Sequence, residues 1–460
     1  MKIFTLLIFV FFATTPAFSQ GWDEVGVSGN TQKANNIVAA VCYDNGILYA
    51  GGIYQDTALH GYVAKWNGEQ WEELGIGNSA LNFNSTPNKI CVDKEHNIYV
   101  LGKLRTSEKW CVMKWNGATW SAQGVGDSVF NTYKGIYTFC TDKDGNVYVA
   151  GALNDTGGRY NVAKWDGTKW QQLGEGSNAL NANDVIMALE ADSKGNIHAG
   201  GEFKLLGNAY VAKWDGVSWS TLVVTNNKPN DIYRANEIRA LYIDGADNIY
   251  AGGVIVSANR NNCLAKWDGT SWIEVDNGNN SLNSDIPGSI NVITGDKAGN
   301  IYVAGMGIEQ HVWQPCVKKW DGISWNEVGI GSTSIHKNER IRTVCTDTTG
   351  VLYAGGVFMD KHAADKYINV VKFDNKSLEN NLTGKGSIHA WPNPAKDILY
   401  IDVNKYDEEY YLYDLKGVLM GKMQNKMSGA ATNRMYLYDL AKGTYLLKKQ
   451  NSAPFLFKKM

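Results

Sequence analysis

Six segments of this chain share one spelling: Lys-Trp, then Asp or Asn, Gly, two further residues and a second Trp. They start at Trp66, Trp115, Trp165, Trp214, Trp267 and Trp320. Their partners Trp71, Trp120, Trp170, Trp219, Trp272 and Trp325 follow at a constant gap of five. Asp-Gly and Asn-Gly between aromatic ends are tight-turn chemistry, and an unchanging gap in a repeat of roughly 50 residues marks one hairpin used again and again. Lys372-Phe373 holds a seventh place but has no following Trp. GWDEVG at residues 21–26 supplies one, Trp22. Seven complete doublets require that the two ends of the repeat region meet.

Two further segments complete each unit. One alternates apolar and other residues and ends in Asp44, Asp93, Asp142, Asp192, Asp244, Asp296 or Asp347; the next resembles GNIYVAG, as at Gly299–Gly305. Period-two patterning and Gly-bounded turns give four short strands per unit, A to D. With 49 Gly and only 8 Pro, the composition suits many short strands joined by tight turns. The expected fold is all-β: a seven-bladed β-propeller over residues 20–374, closed by the N-terminal strand as strand D of the last blade. Such a ring buries blade faces that a lone blade would expose. A helical solenoid is excluded by the period, and an open β-array is the alternative.

Spacing separates two faces. A–B and C–D turns are constant, whereas B–C and D–A connections vary. From the second strand-B Gly to the doublet, the separation grows from Gly102–Trp115 to Gly305–Trp320 and Gly356–Phe373. Variable loops on a rigid scaffold are where binding sites are built. The seven Asp residues read as Asx-turn formers, with a calcium-binding ring as the sharper alternative. The Trp pairs read as packing across a hairpin and between blades; sugar stacking is the other use of Trp, and their place on the constant face argues for architecture. Cys42, Cys91, Cys140 and Cys345 share a position in strand A, and Cys111, Cys263 and Cys316 share one in strand C. Strand B separates the two sets by roughly 9–10 Å, too far for a disulfide, so free, buried thiols are expected.

With 44 basic and 46 acidic residues, nothing points to nucleic acid. No HExxH, GxSxG, P-loop or paired-carboxylate motif is present. One sector gathers polar candidates: His60, His311, His336 and His362 fall in B–C or D–A loops of blades six, seven and one. Glu309, Trp313, Asp360 and Lys361 fall in the two longest B–C loops beside them. Imidazoles and carboxylates there could hold a polar ligand or a metal, and merely solvated side chains are the other reading. No cofactor is expected, calcium or another metal being the alternative.

The ends carry addresses. Residues 1–19, with Lys2, an apolar run from Ile3 to Phe12 and small residues Ala17 and Ser19, read as a secretory signal peptide. Residues 375–386 are a polar linker. Residues 387–460 carry eleven basic and seven acidic residues, no Trp doublet and several short strands, the pattern of a small antiparallel β-sandwich. Within them WPNPAKDILYI, YYLYDLKGVLMGK, MYLYDLAKGTYLLKK and the closing FKKM resemble the type IX secretion C-terminal sorting domain (type A) of Bacteroidota. The motif positions are Pro392, Asn393, Pro394, Asp414, Gly417, Gly443, Tyr445, Lys458 and Lys459, with Trp391 where Tyr is common. This resemblance implies the type IX machinery as partner, Sec export, outer-membrane translocation, and surface attachment or release. The repeats more loosely resemble the SBBP and delta-60 types of secreted bacterial repeats, which imply no defined activity.

The expected function is that of a secreted or surface-displayed binding module for a glycan or a protein. A propeller-fold polysaccharide hydrolase or lyase and a structural surface-layer component are the alternatives.

Overall fold

The Trp hairpins are made by their turns. Asp166 accepts hydrogen bonds from the backbone N–H groups of Lys169 and Thr168, each at 2.9 Å, and these bonds hold its carboxyl down at about 2. Gly167 adopts φ +96°, a left-handed conformation that only glycine enters without strain. Trp165 and Trp170 are thereby brought opposite each other, ring centroids 5.5 Å apart.

The computed structural model describes residues 22–25, 37–53, 61–75, 81, 83–124, 135–153, 158–205, 208–222, 232–257, 264–275, 289–309, 312–322, 325–328, 340–359 and 367–373 of the repeat region. Beyond it the described residues are 390–391, 398–403, 409–414, 419–424, 431–437, 440–449 and 455–459. The signal peptide and linker expected from the sequence lie outside them. The chain divides into a unit of Gly21–Asp374 and a second unit that contains Asn375–Met460.

The first unit is a seven-bladed β-propeller. Each blade is a four-stranded antiparallel sheet in the order A-B-C-D, as in blade three with Ile136–Thr141, Val147–Gly151, Ala163–Trp165 and Trp170–Gln172. The A strands of successive blades touch all the way round, including Arg340–Thr346 against Ile37–Asp44, so they line the central channel. In the seventh sheet the fourth strand is Asp23–Glu24, paired with Tyr367–Phe373 in the register Asp23↔Lys372 and Glu24↔Val371. The outermost strands are only 3 or 4 residues long in the first six blades, which leaves little free edge for pairing with another chain.

The A–B turns behave as Asx turns in six blades. Asp93 Oδ1 accepts from the N–H groups of Glu95 and Asn97, while Oδ2 accepts from the Asn97 amide and the Tyr99 hydroxyl at 2.8 and 2.9 Å. Asp142, Asp192, Asp244, Asp296 and Asp347 hold their turns through the same backbone bonds. Asp44 differs: a tighter turn of Asn45 and Gly46, both at positive φ, leaves its carboxylate to meet His96 Nδ1 at 2.7 Å. In four blades the Lys before the doublet also has a place. Lys114 lies over the Tyr99 ring at 5.3 Å, and Lys164, Lys266 and Lys319 repeat this cation–π contact on Tyr148, Tyr250 and Tyr302.

Blade-to-blade seams explain the second Trp. Its indole Nε1 donates to a backbone carbonyl of the preceding blade: Trp71 to Val25 at 2.9 Å, Trp120 to Leu74 at 2.7 Å and Trp170 to Gln123 at 3.0 Å. Trp219, Trp272 and Trp325 do the same to Leu173, Leu222 and Val275. Each such bond contributes about 1 kcal/mol net, and the paired rings add about 0.5–1.5 kcal/mol beyond their burial. Trp22 is the exception. It is buried and packs on Phe373 at 5.7 Å between centroids, yet its Nε1 has no hydrogen-bond partner.

The second unit holds two antiparallel sheets. One joins Ala390–Trp391, Ile398–Val403 and Ala431–Tyr436; the other is ordered Leu419–Gln424, Glu409–Asp414, Gly443–Lys449, Phe455–Lys459. Leu399, Leu412, Leu437 and Leu447 are buried within the unit. Among the described residues no helix is long and apolar enough to cross a membrane.

Candidate functional site

The described structure directs attention to the channel mouth, built by a bulge that the blades repeat. In strand A of blade three, Ile136 pairs with Gly151 and Thr138 with Ala150, so Tyr137 is left over as an extra residue. The same slip isolates Ala39, Met187, Arg239, Asn291 and Arg342 in blades one, four, five, six and seven. Asn88 holds the equivalent place in blade two, just before the short strand Ile90–Val92. A bulge turns one side chain out of the ladder. The opposing Gly makes the close approach possible: a Cβ at Gly201 would collide with the Val185 carbonyl, and one at Gly305 with the Ser289 carbonyl. Strand A begins on the face that carries the B–C and D–A connections, so these residues ring the channel at that face.

Each blade fills the position differently. Tyr137 is 42% exposed, and Asn88, Asn291 and Arg342 are also exposed. The Asn88 amide reaches the Tyr137 carbonyl at 3.5 Å. Arg239 is held: Nη1 donates to Ser289 Oγ and Asn291 Oδ1 at 3.0 and 3.1 Å, and Nη2 pairs with Glu237 at 2.6 Å.

Deeper along strand A an ion pair bridges blade two to blade four. Lys89 Nζ meets Glu190 Oε1 at 2.9 Å and donates to the Leu189 carbonyl at 3.1 Å. Burial alone would lower the Lys89 pKa, but the Glu190 carboxylate together with the neighbouring Cys91 and Cys140 outweighs it and the net shift is upward. Glu190 occupies the strand position that holds Cys42, Cys91, Cys140 and Cys345 in four other blades. Burial pushes the Cys42 and Cys91 thiols up to about 12, and Cys140 and Cys345 well above their ordinary value. All six described cysteines are free, and Cys263 lies outside the described residues. In blade four His198 replaces the Tyr that bonds the turn Asp. Burial lowers its pKa against the opposing pull of Asp192, which the ring approaches at 3.4 Å.

The residues singled out from sequence fare unequally. His60, His311, His336, Asp360, Lys361 and His362 lie outside the described residues, as do Pro392, Asn393, Pro394 and Gly417. Glu309 and Trp313 were expected in a loop. Instead they belong to long strands, Ile301–Glu309 and Val312–Trp320, paired as Glu309↔Val312 and Ile308↔Trp313. The longer B–C connection of blade six is an extended hairpin, because Gly307↔Gln314 and Met306↔Pro315 continue the ladder. Among the described residues no three His, Cys, Asp or Glu side chains converge as metal ligands. In the second unit Asp414 pairs with Tyr445, Gly443 with Lys459, and Thr444 with Lys458. The Tyr445 hydroxyl donates to the Ala441 carbonyl at 2.8 Å, and Tyr445 and Lys459 are buried.

Residues 389–460 match the model of the secretion system C-terminal sorting domain. No curated protein matches the chain. Among solved structures it is similar to PorZ, described as an essential bacterial surface component of the type-IX secretion system of Porphyromonas gingivalis. Identity there is 14%, over 94% of this chain and 61% of that one, with a TM-score of 0.48. It thus spans about three-fifths of that protein's length. A fungal alcohol oxidase with copper shows 12% identity over 96% of this chain and all of that one (100%), TM-score 0.48. An ulvanlyase of a new polysaccharide lyase family shows 14% identity over 79% and 99%, TM-score 0.42. These likenesses carry no functional argument.

Proposed function

Since the chain carries a type IX secretion C-terminal sorting domain and is exported to the cell surface or the medium, we propose that its propeller is a binding module for a glycan or a surface protein, working at the channel mouth. The observation that carries this reading is the bulge ring. One backbone device recurs around the axis, yet the blades present Ala39, Tyr137, Met187, Arg239, Asn291 and Arg342 from it. A position that served only the fold would be filled alike in each blade, as the Trp doublets are. Glu309 and Trp313, at the tip of the extended hairpin of blade six, would widen that surface, together with His60, His311, His336, Asp360, Lys361 and His362 as expected from the sequence.

The test is a binding screen of the purified mature chain, residues 20–460, against immobilised cell-surface glycans and surface-protein extracts. Saturable retention that weakens when Tyr137 and Arg342 are replaced is the expected result. No retention by either class would refute the binding reading.

A further inference from the structure

Resting on that binding reading, we infer that the ligand is an acidic glycan, a polysaccharide bearing carboxylates, which lies across the channel mouth with a carboxylate on Arg342 and a sugar face against Tyr137. The ring holds two guanidinium groups and two side-chain amides, and none of its positions is a carboxylate. The two cations are not equivalent. Arg239 is already claimed by Glu237, Ser289 and Asn291. Arg342 is exposed, and among the described residues it forms no hydrogen bond or ion pair. A guanidinium left free in this way presents its planar fork to a carboxylate, the partner it fits in two parallel hydrogen bonds.

Around the ring, blade three lies opposite blades six and seven. Tyr137, the one large aromatic at a bulge, therefore faces Asn291 and Arg342 across the channel. An exposed tyrosine ring offers a flat apolar surface to the C–H face of a pyranose, and amides such as Asn88 and Asn291 both donate to and accept from hydroxyls. Beneath the mouth the Lys89–Glu190 pair bridges blade two to blade four past the inner edge of blade three and narrows the channel on the Tyr137 side.

A sugar fits this surface better than a protein does. Protein interfaces centre on a cluster of apolar and aromatic anchors. The exposed large hydrophobic side chains among the described residues are Tyr137, Val217 and Met420, and only Tyr137 is at the mouth. Val217 sits in a C–D turn on the opposite face, and Met420 belongs to the second unit.

The experiment is titration calorimetry of the mature chain with polygalacturonate, neutral dextran and poly-glutamate, at low and high salt. Polygalacturonate should bind, more weakly as salt rises, while dextran and poly-glutamate bind at least about tenfold less tightly. Arg342→Gln and Tyr137→Ala should each weaken polygalacturonate about tenfold with the melting temperature unchanged. Equal binding of dextran would overturn the acidic class while leaving a glycan-binding module. Poly-glutamate binding as well as the polysaccharide would replace the glycan with an acidic peptide. Polygalacturonate binding that ignores Arg342→Gln would move the site off the mouth. Failure with all three probes while surface extracts still bind would overturn this inference alone; failure with the extracts too would take the binding reading with it.

Discussion

The C–D hairpins and the strand-A bulges are both repeated around the ring, and they are filled by opposite rules. Every hairpin of the first six blades uses the same pair of tryptophans, because each side chain there has a fixed task. One ring packs on the other, and the second indole reaches a carbonyl of the preceding blade. At the bulge the backbone alone does the repeated work, through a slipped register opposite a Gly, and the side chain is left free to differ. Support and display thus occupy different positions of one repeated unit, and a change in one need not disturb the other.

The largest effect should come from removing the hairpin strand contributed by the N-terminus. Deleting residues 21–25 takes away buried Trp22 and Val25 and the carbonyl that receives the Trp71 indole. We expect a loss of more than about 4 kcal/mol, comparable to much of a domain's total stability. A urea transition close to that of the intact chain would show that the paired strand contributes little.

A smaller effect sharpens the comparison inside the hairpin set. Trp272→Phe removes a 2.8 Å bond to the Leu222 carbonyl, whereas Trp22→Phe removes no hydrogen bond. The first should cost about 1 kcal/mol more than the second, read from the difference in unfolding free energy. Equal losses would mean that the indole bonds are incidental to the packing.

The smallest effect concerns acid. Burial by itself raises the carboxyls of Asp93, Asp192 and Asp244, but hydrogen bonds from Asn97, Asn196 and Asn248 prevail and lower them below 3.8. Groups depressed on folding add stability that is complete above the unfolded value and is lost as pH falls through the folded one. Unfolding midpoints should therefore decline below about pH 4, and Asp93→Asn should flatten that decline. A mouth substitution such as Arg342→Gln should leave it unchanged.

Repetition made the fold readable. Constant gaps between tryptophans, Asp-ended strands and GWDEVG carry the blade count, because each reflects a bond or turn made in the same way many times. The mouth was not readable for the converse reason. Tyr137, Met187, Asn291 and Arg342 are four different residue types, and only their place opposite a repeated Gly gives them away once the register is known. Glu309 and Trp313 show a related limit: a longer connection looks the same in sequence whether it is a loop or an extended hairpin.

The division between support and display is tested most directly by urea unfolding of two variants of the protein. One carries Asn88→Ala, Tyr137→Ala and Arg342→Ala at the mouth; the other carries Trp272→Ala in a hairpin. The mouth variant should stay within about 1 kcal/mol of the parent, while the hairpin variant loses about 3 kcal/mol or more. A mouth variant that unfolds as readily as the hairpin variant would contradict the account.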